Sequence, residues 1–326
     1  MTTSSRLHRR SALGISLALA GALAGSSAAY AAAPVNLGIL VPSASHGWTA
    51  GVIWWANEAK KEMEKAHPGI RITIKTAAGA SEQANQLQDM VTVTKINTLV
   101  ILPFESAPLT PPVAKAKNQG IYVTVVDRGL TDTSAQNAYV AGDNAAFGKI
   151  SAEYLAKKYN GKANIVVTRG LPCMIDNIRI DAFNAVMKNY PGIKILDQQY
   201  GNFNRDDAFK VMQDYLVRFK NIDVVWSTDD DMTLGVLKAM DQAKRTDIKE
   251  VLGGSGSKGI IKTIQDGSNP LIQTDTTYSP KMIYEAIKLT VDARSKGAAM
   301  PATTLIPSVL VTRNNAKNFY FPSSPF

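Results

Sequence analysis

The chain has 326 residues, of which 45% are hydrophobic, with a formal charge of +9 and a single cysteine, Cys173. One cysteine rules out an internal disulfide, so packing has to hold the fold. The basic residues come in scattered pairs such as Lys60-Lys61, Lys157-Lys158 and Lys244-Arg245. They are not interleaved with stacking aromatics, which argues against a nucleic-acid partner.

Residues 1–31 read as an export signal peptide. Arg6, Arg9 and Arg10 make a positive start, residues 13–24 are apolar, and Ala29-Tyr30-Ala31 supplies small residues for cleavage near Ala31. The apolar stretch is broken by Gly and Ser and falls short of the ~20 residues that a membrane span needs. The arginine pair loosely matches a twin-arginine signal. Cys173 lies far from this leader, so no lipid-anchoring cysteine follows it. A soluble periplasmic location is expected. Without its three arginines the mature chain carries +6 over about 295 residues, enough for two cores.

The rest alternates strands and helices. An apolar strand is expected over 35–40, then a helix whose buried face is Val52, Ala56, Ala59 and Met63. A strand over 70–74 follows, then a helix through Ala84, Leu87 and Val91. The run 98–102 is continuously apolar apart from Thr98, as in a parallel strand covered on both faces, and Pro103 ends it. A helix through Val113 and Ala116 leads to a strand over 121–126.

Near Asp143 the cycle restarts. Helices are expected over 145–159, 176–190, 206–219, 232–243 and 260–265. Strands are expected over 164–168, 194–198, 223–226 and 251–253. Sequential βα units of this length imply doubly wound parallel sheets, and two such series suggest two α/β lobes facing a cleft. Ligands of such sheets bind beyond the carboxyl ends of the strands.

Those ends are polar and aromatic. The first strand runs into Ser43-Ala44-Ser45-His46-Gly47-Trp48, and the strand at 121–126 into Asp127-Arg128-Gly129. In the second series Thr168 leads to Arg169-Gly170-Leu171-Pro172, Asn177 and Arg179, while Trp226 leads to Ser227-Thr228-Asp229-Asp230-Asp231. Carboxylates accept from hydroxyl pairs, Arg and Asn donate, and aromatic faces cover C–H patches, so the mixture suits a sugar.

Several stretches resemble the ribose-binding type of periplasmic binding protein, whose fold LacI-type repressors also use. They are Val125-Val126-Asp127-Arg128, Ala141-Gly142-Asp143-Asn144, Arg179 to Phe183, Asp230 to Gly235, and Val311-Thr312-Arg313-Asn314 with Phe319. The resemblance runs from Val35 to Tyr320 and implies the type I periplasmic binding fold, two lobes joined by three crossovers. It places an N-terminal lobe at 32–142 plus 276–305 and a C-terminal lobe at 143–275 plus 306–326. It also implies the solute-binding subunit of an ABC importer, partnered by a membrane permease and in some cases a chemoreceptor, with no cofactor.

Position by position, the resemblance implies ligand contacts at His46, Trp48, Asp127, Arg128, Asn177, Phe203, Asp229, Ser255 and Tyr278, with Arg179 mainly an ion-pairing supporter. Asn177, Ser255, Tyr278 and Leu102 depart from the ribose pattern, which points to another pentose, a hexose or a polyol. Trp48 is read as a cleft wall, and Trp54 and Trp55 as helix packing. Asp230 and Asp231 are read as caps of the following helix.

Two features imitate other chemistries. Gly254 to Gly259 fits GxGxxG between a strand and a helix, but late in the chain, and is read as a tight turn at the cleft rim. The carboxylates Asp127 and Asp229 to Asp231 imitate a glycosidase pair without the required spacing. No HExxH, Cys/His pair or GxSxG occurs, so neither a metal site nor an activated nucleophile is expected. The leader and the absence of an N-terminal helix-turn-helix argue against a repressor. The competing readings are a receptor for a furanosyl signal or chemotactic sugar and, least favoured, an exported carbohydrate-acting enzyme.

Overall fold

The computed structural model describes residues 34–326, so the leader lies outside the described residues. The chain opens with β1 (Asn36–Pro42), α1 (Gly47–Ala66), β2 (Arg71–Ala77) and α2 (Ala80–Thr92). It continues through β3 (Thr98–Ile101), α3 (Ser106–Asn118), β4 (Tyr122–Val126) and β5 (Ala138–Gly142). A second series follows: α4 (Asn144–Lys158), β6 (Ala163–Arg169), α5 (Met174–Met187), β7 (Ile193–Tyr200), α6 (Arg205–Arg218) and β8 (Val224–Ser227). It ends with α7 (Asp230–Ala243), β9 (Glu250–Ser255), α8 (Lys258–Asp266) and β10 (Asp275–Thr277). Last come α9 (Met282–Lys296), β11 (Thr303–Ile306) and β12 (Leu310–Val311).

The strands form two six-stranded sheets, ordered β11-β5-β4-β3-β1-β2 and β12-β10-β9-β8-β6-β7. The first is parallel throughout. In the second only the β10–β12 pair is antiparallel. The strand order reverses beside β1 in one sheet and beside β6 in the other, and such reversals open a crevice at the carboxyl ends.

Alternation along β1 shows how each sheet is covered. Leu37, Ile39 and Val41 share a cluster with Val52, Ala56 and Ala59 of α1, while Leu40 joins Leu87 and Met90 of α2 on the other face. The second sheet repeats this: Val167 and Trp226 meet Phe183 of α5, and Val225 and Val251 meet Met212 of α6 and Val236 of α7.

β5 has no counterpart among the expected elements. Its sequence, Ala-Tyr-Val-Ala-Gly, is short and rich in weak strand formers, and pairing with β4 and β11 on either side holds it extended. The chain moves to the second sheet after β5, returns through α9 after β10, and moves again after β11. β10 runs to Thr277 within the second sheet, past the expected division at 275/276.

Candidate functional site

A cavity of about 620 Å³ lies between the carboxyl ends of the two sheets. From the first sheet it takes His46 and Trp48 after β1, Leu102 and Phe104 after β3, and Asp127 and Arg128 after β4. From the second it takes Arg179 on α5, Phe203 after β7, Asp229 after β8, Ser255 closing β9 and Tyr278 after β10.

Each is held by local chemistry. The His46 N–H donates to Thr49 Oγ1 at 3.3 Å, and that hydroxyl donates back to His46 O at 2.9 Å, closing the start of α1. Burial holds the His46 imidazole below its ordinary value against the opposing pull of Asp231, so it is neutral near pH 7. Trp48 is both cavity wall and core: it is buried, its ring stacks on Tyr278 with centroids 6.0 Å apart, and its Nε1–H donates to Tyr278 O at 2.8 Å.

Asp127 sits just past β4 with φ of +60°, a left-handed conformation that a short polar side chain tolerates. It is buried, and its Oδ1 accepts from the Tyr278 hydroxyl. Burial raises its carboxyl, while Arg128, the Tyr278 hydrogen bond and Arg179 pull it back toward the charged form. Arg128, which lines the cavity, is anchored through Nη1 to the carbonyls of Phe104 and Pro103.

Arg179 is held by neutral groups rather than by the ion pair expected. Its Nε donates to Asn144 Oδ1 at 2.8 Å and its Nη1 to Thr228 O at 3.0 Å. The guanidinium lies 4.3 Å from the Phe147 ring centroid and 4.2 Å from that of Tyr278. A weakly hydrated planar cation stacks well on such faces.

Asn177 falls outside the cavity. It is exposed on α5, where its Oδ1 accepts from Arg169 Nη2 at 3.0 Å. Residues two apart on a helix point to opposite sides, so Arg179 facing inward turns Asn177 out. Ile175, four residues before Arg179, shares the inner face and lines the cavity.

The three consecutive aspartates divide their work differently from expectation. Asp229 caps α7, with Oδ1 accepting from the Met232 N–H at 3.2 Å, and its Oδ2 accepts from Ser255 Oγ at 3.3 Å. Burial pushes its carboxyl up to about 7, with Asp231 adding repulsion. Asp230 instead accepts from the N–H groups of Gly254 at 3.0 Å and Ser257 at 2.6 Å. The GxGxxG turn is thus occupied by the protein's own carboxylate where a dinucleotide turn would hold phosphate. Asp231 accepts from the Gly47 N–H at 2.9 Å and from Arg205 at 2.8 Å.

Two lining segments were not among the expected contacts. One is the stretch from Phe104 to Pro108 after β3, and the other is Leu171 to Cys173 after β6. Both follow strand carboxyl ends, so the strand-end rule contained the signal, but neither holds the conspicuous polar pairs that marked the rest.

A cavity flanked by two doubly wound sheets, lined by hydrogen-bonding groups and ring faces, defines a solute-binding protein. The periplasmic binding protein domain family matches residues 37–297, and the chain belongs to that family, which is one of binding proteins rather than enzymes. The chain is 30% identical to the galactofuranose-binding protein YtfQ of Escherichia coli over 299 residues, 88% of this chain and 90% of that one. It is 29% identical to the ribose import binding protein RbsB of Escherichia coli over 210 residues, 64% of this chain and 69% of that one. The crystal structure of a galactofuranose binding protein superposes with a TM-score of 0.76 at 26% identity, covering 88% of this chain and 97% of that one.

Proposed function

We propose that this chain captures a neutral sugar or polyol by closing its two lobes over it, and delivers it to the permease of an ABC importer outside the cytoplasm. The lobes divide at Gly142–Asp143, after β10 and after β11, and the leader directs export. The observation that carries this reading is the placing of Asp127 and Arg128 on one side of the cavity and of Arg179, packed against aromatic rings, on the other. Carboxylate and guanidinium groups can bracket adjacent hydroxyls, while Trp48, Phe203 and Tyr278 offer faces to the apolar side of a sugar ring. The galactofuranose-binding relative, aligned over nearly the whole chain, makes galactofuranose the first candidate. Ribose is expected to bind poorly, because Leu102 and Ser255 replace polar partners of the ribose pattern.

The test is a melting screen over pentoses, hexoses, furanose sugars and polyols. A ligand at a thousandfold excess over its Kd adds about 4 kcal/mol of stability, or many degrees at about 2–4 °C per kcal/mol. The ligand should be recovered unchanged. No stabilising sugar in the screen, or turnover proportional to protein, would overturn the reading.

A further inference from the structure

Gly47, the first residue of α1, receives two contacts from the opposite side of the molecule. Its N–H donates to Asp231 Oδ2 at 2.9 Å, and Asp231 belongs to α7 of the second sheet. The first N–H groups of a helix lack intrahelical partners, and a carboxylate there is favoured by the helix dipole. α1 has no acid of its own in its first turn, so Asp231 supplies that charge across the cleft. Arg205 Nη2 donates to Asp231 Oδ1 at 2.8 Å and sets the carboxylate's orientation. The approach is close: a Cβ on Gly47 would lie 3.0 Å from Asp231 Oδ2 and 3.0 Å from the Phe326 ring.

Phe326 ends a strap that spans the same gap. Phe319 and Tyr320 pack on the core of the second sheet. Lys258, opening α8, donates Nζ to Ser324 O at 2.6 Å and Pro322 O at 3.3 Å. From this clamp the strap reaches α1. Phe321 meets Trp55 edge-on at 5.3 Å, and Phe326 is buried over Gly47 and Gly51 beside Pro280. The Ser324 N–H donates to Phe321 O at 3.0 Å and the Phe326 N–H to Ser324 Oγ at 3.2 Å, which stiffens the turn.

We infer that Asp231 and the strap at residues 321–326 form a latch on the closed state that sets ligand affinity without touching ligand. The inference rests on the reading of this protein as a receptor that closes over its solute. Neither Asp231 nor any strap residue lines the cavity. Their contacts to α1 depend on the lobes being together, so they weight the closed population. Apparent Kd is the intrinsic Kd divided by the binding-competent fraction, so releasing the latch weakens every ligand by the same factor.

The experiment compares wild type with Asp231→Ala, Phe326→Ala and Lys258→Met, the last a surface change that spares the core. Solution scattering without ligand should show a larger radius of gyration in each variant. With the sugar found in the melting screen, Kd and the dissociation rate should rise about tenfold, and the rank order of sugars should stay the same. Unchanged scattering and dissociation rates in all three variants would overturn the latch, as would a changed rank order in Phe326→Ala and Lys258→Met, which leave the charges around His46 and Asp229 untouched. If no sugar binds wild type, the receptor reading fails, and the ligand-free scattering still decides the latch.

Discussion

The Tyr278 hydroxyl donates to Asp127 Oδ1, tying the end of β10 to the end of β4 across 151 positions of sequence. Asn144 Nδ2 donates to the same hydroxyl at 3.2 Å, so one oxygen links the first strand series, the start of α4 and the last strand of the second sheet before α9. A Cβ on Gly142 would lie 2.2 Å from the Tyr278 ring, which places the tyrosine where the chain passes between sheets. Tyr278→Phe removes a donor from a buried carboxylate, at a cost of about 1–3 kcal/mol. Melting temperature and affinity should both fall. A variant matching wild type in scanning and titration calorimetry would show that Asp127 does not depend on this donor.

Gly170 allows Phe203 to stand as a cavity wall. A Cβ there would lie 2.0 Å from the ring's far carbon, and Phe203 holds φ of +54°, a strained conformation for an aromatic residue. Gly170→Ala should displace the ring, with overpacking of about 1–3 kcal/mol appearing mainly as weaker binding because the ring borders open space. Affinity should fall roughly tenfold, since 1.4 kcal/mol is a factor of ten. Full affinity with a lowered melting point would make Phe203 a packing residue only.

Arg179→Lys keeps the charge but loses the planar group packed against the Phe147 and Tyr278 rings and its directed bonds to Asn144 and Thr228. Because an ammonium cannot reproduce the fork, stability should drop by about 1–3 kcal/mol, and ligand affinity should fall with it. Urea titration and calorimetry would check both, and an unchanged denaturation midpoint would contradict this structural role.

Stability should fall as pH rises from the acid range through neutrality. Asp229, Asp230 and Asp275 are all buried in the second lobe, and burial, with repulsion from neighbouring carboxylates, raises each carboxyl, Asp229 to about 7. A carboxyl raised in the folded state binds protons that the unfolded chain has released. Its stabilising contribution is full below about pH 4 and is lost as pH climbs through the folded value. His46, lowered from 6.5, acts in the opposite sense only below that value. Melting temperature should therefore decline from about pH 4, where the unfolded carboxyls ionise, to about pH 8, where the folded ones have done so, and Asp275→Asn should flatten the decline. A flat or rising profile in wild type would contradict the raised carboxyls.

Periodicity made much of the architecture legible. The buried stripe of Val52, Ala56, Ala59 and Met63, and the apolar runs of β1, β3 and β4, are local patterns that only a covered helix face or a parallel strand satisfies. The expectation that functional groups follow strand ends placed His46, Asp127 and Asp229 together, because strand direction is encoded in the order of βα units, whereas Ser255 came only from the family resemblance. β5 was illegible because five small or mixed residues carry no period of their own.

What local pattern could not decide was which partner each polar group would meet. Asn177 reads as a ligand contact and Arg179 mainly as a supporter in the sequence, yet the roll of α5 turns Arg179 into the cavity and Asn177 to solvent. Asp229, Asp230 and Asp231 are adjacent acids, and only the packing of α7 against β9 and α1 makes one a cap, one the occupant of a glycine turn and one a bond to Gly47, 184 positions away. Backbone propensity acts over a few residues and is written in the chain. The pairing of buried polar groups is settled by desolvation, which forces each to take whichever partner the assembled sheets bring within reach.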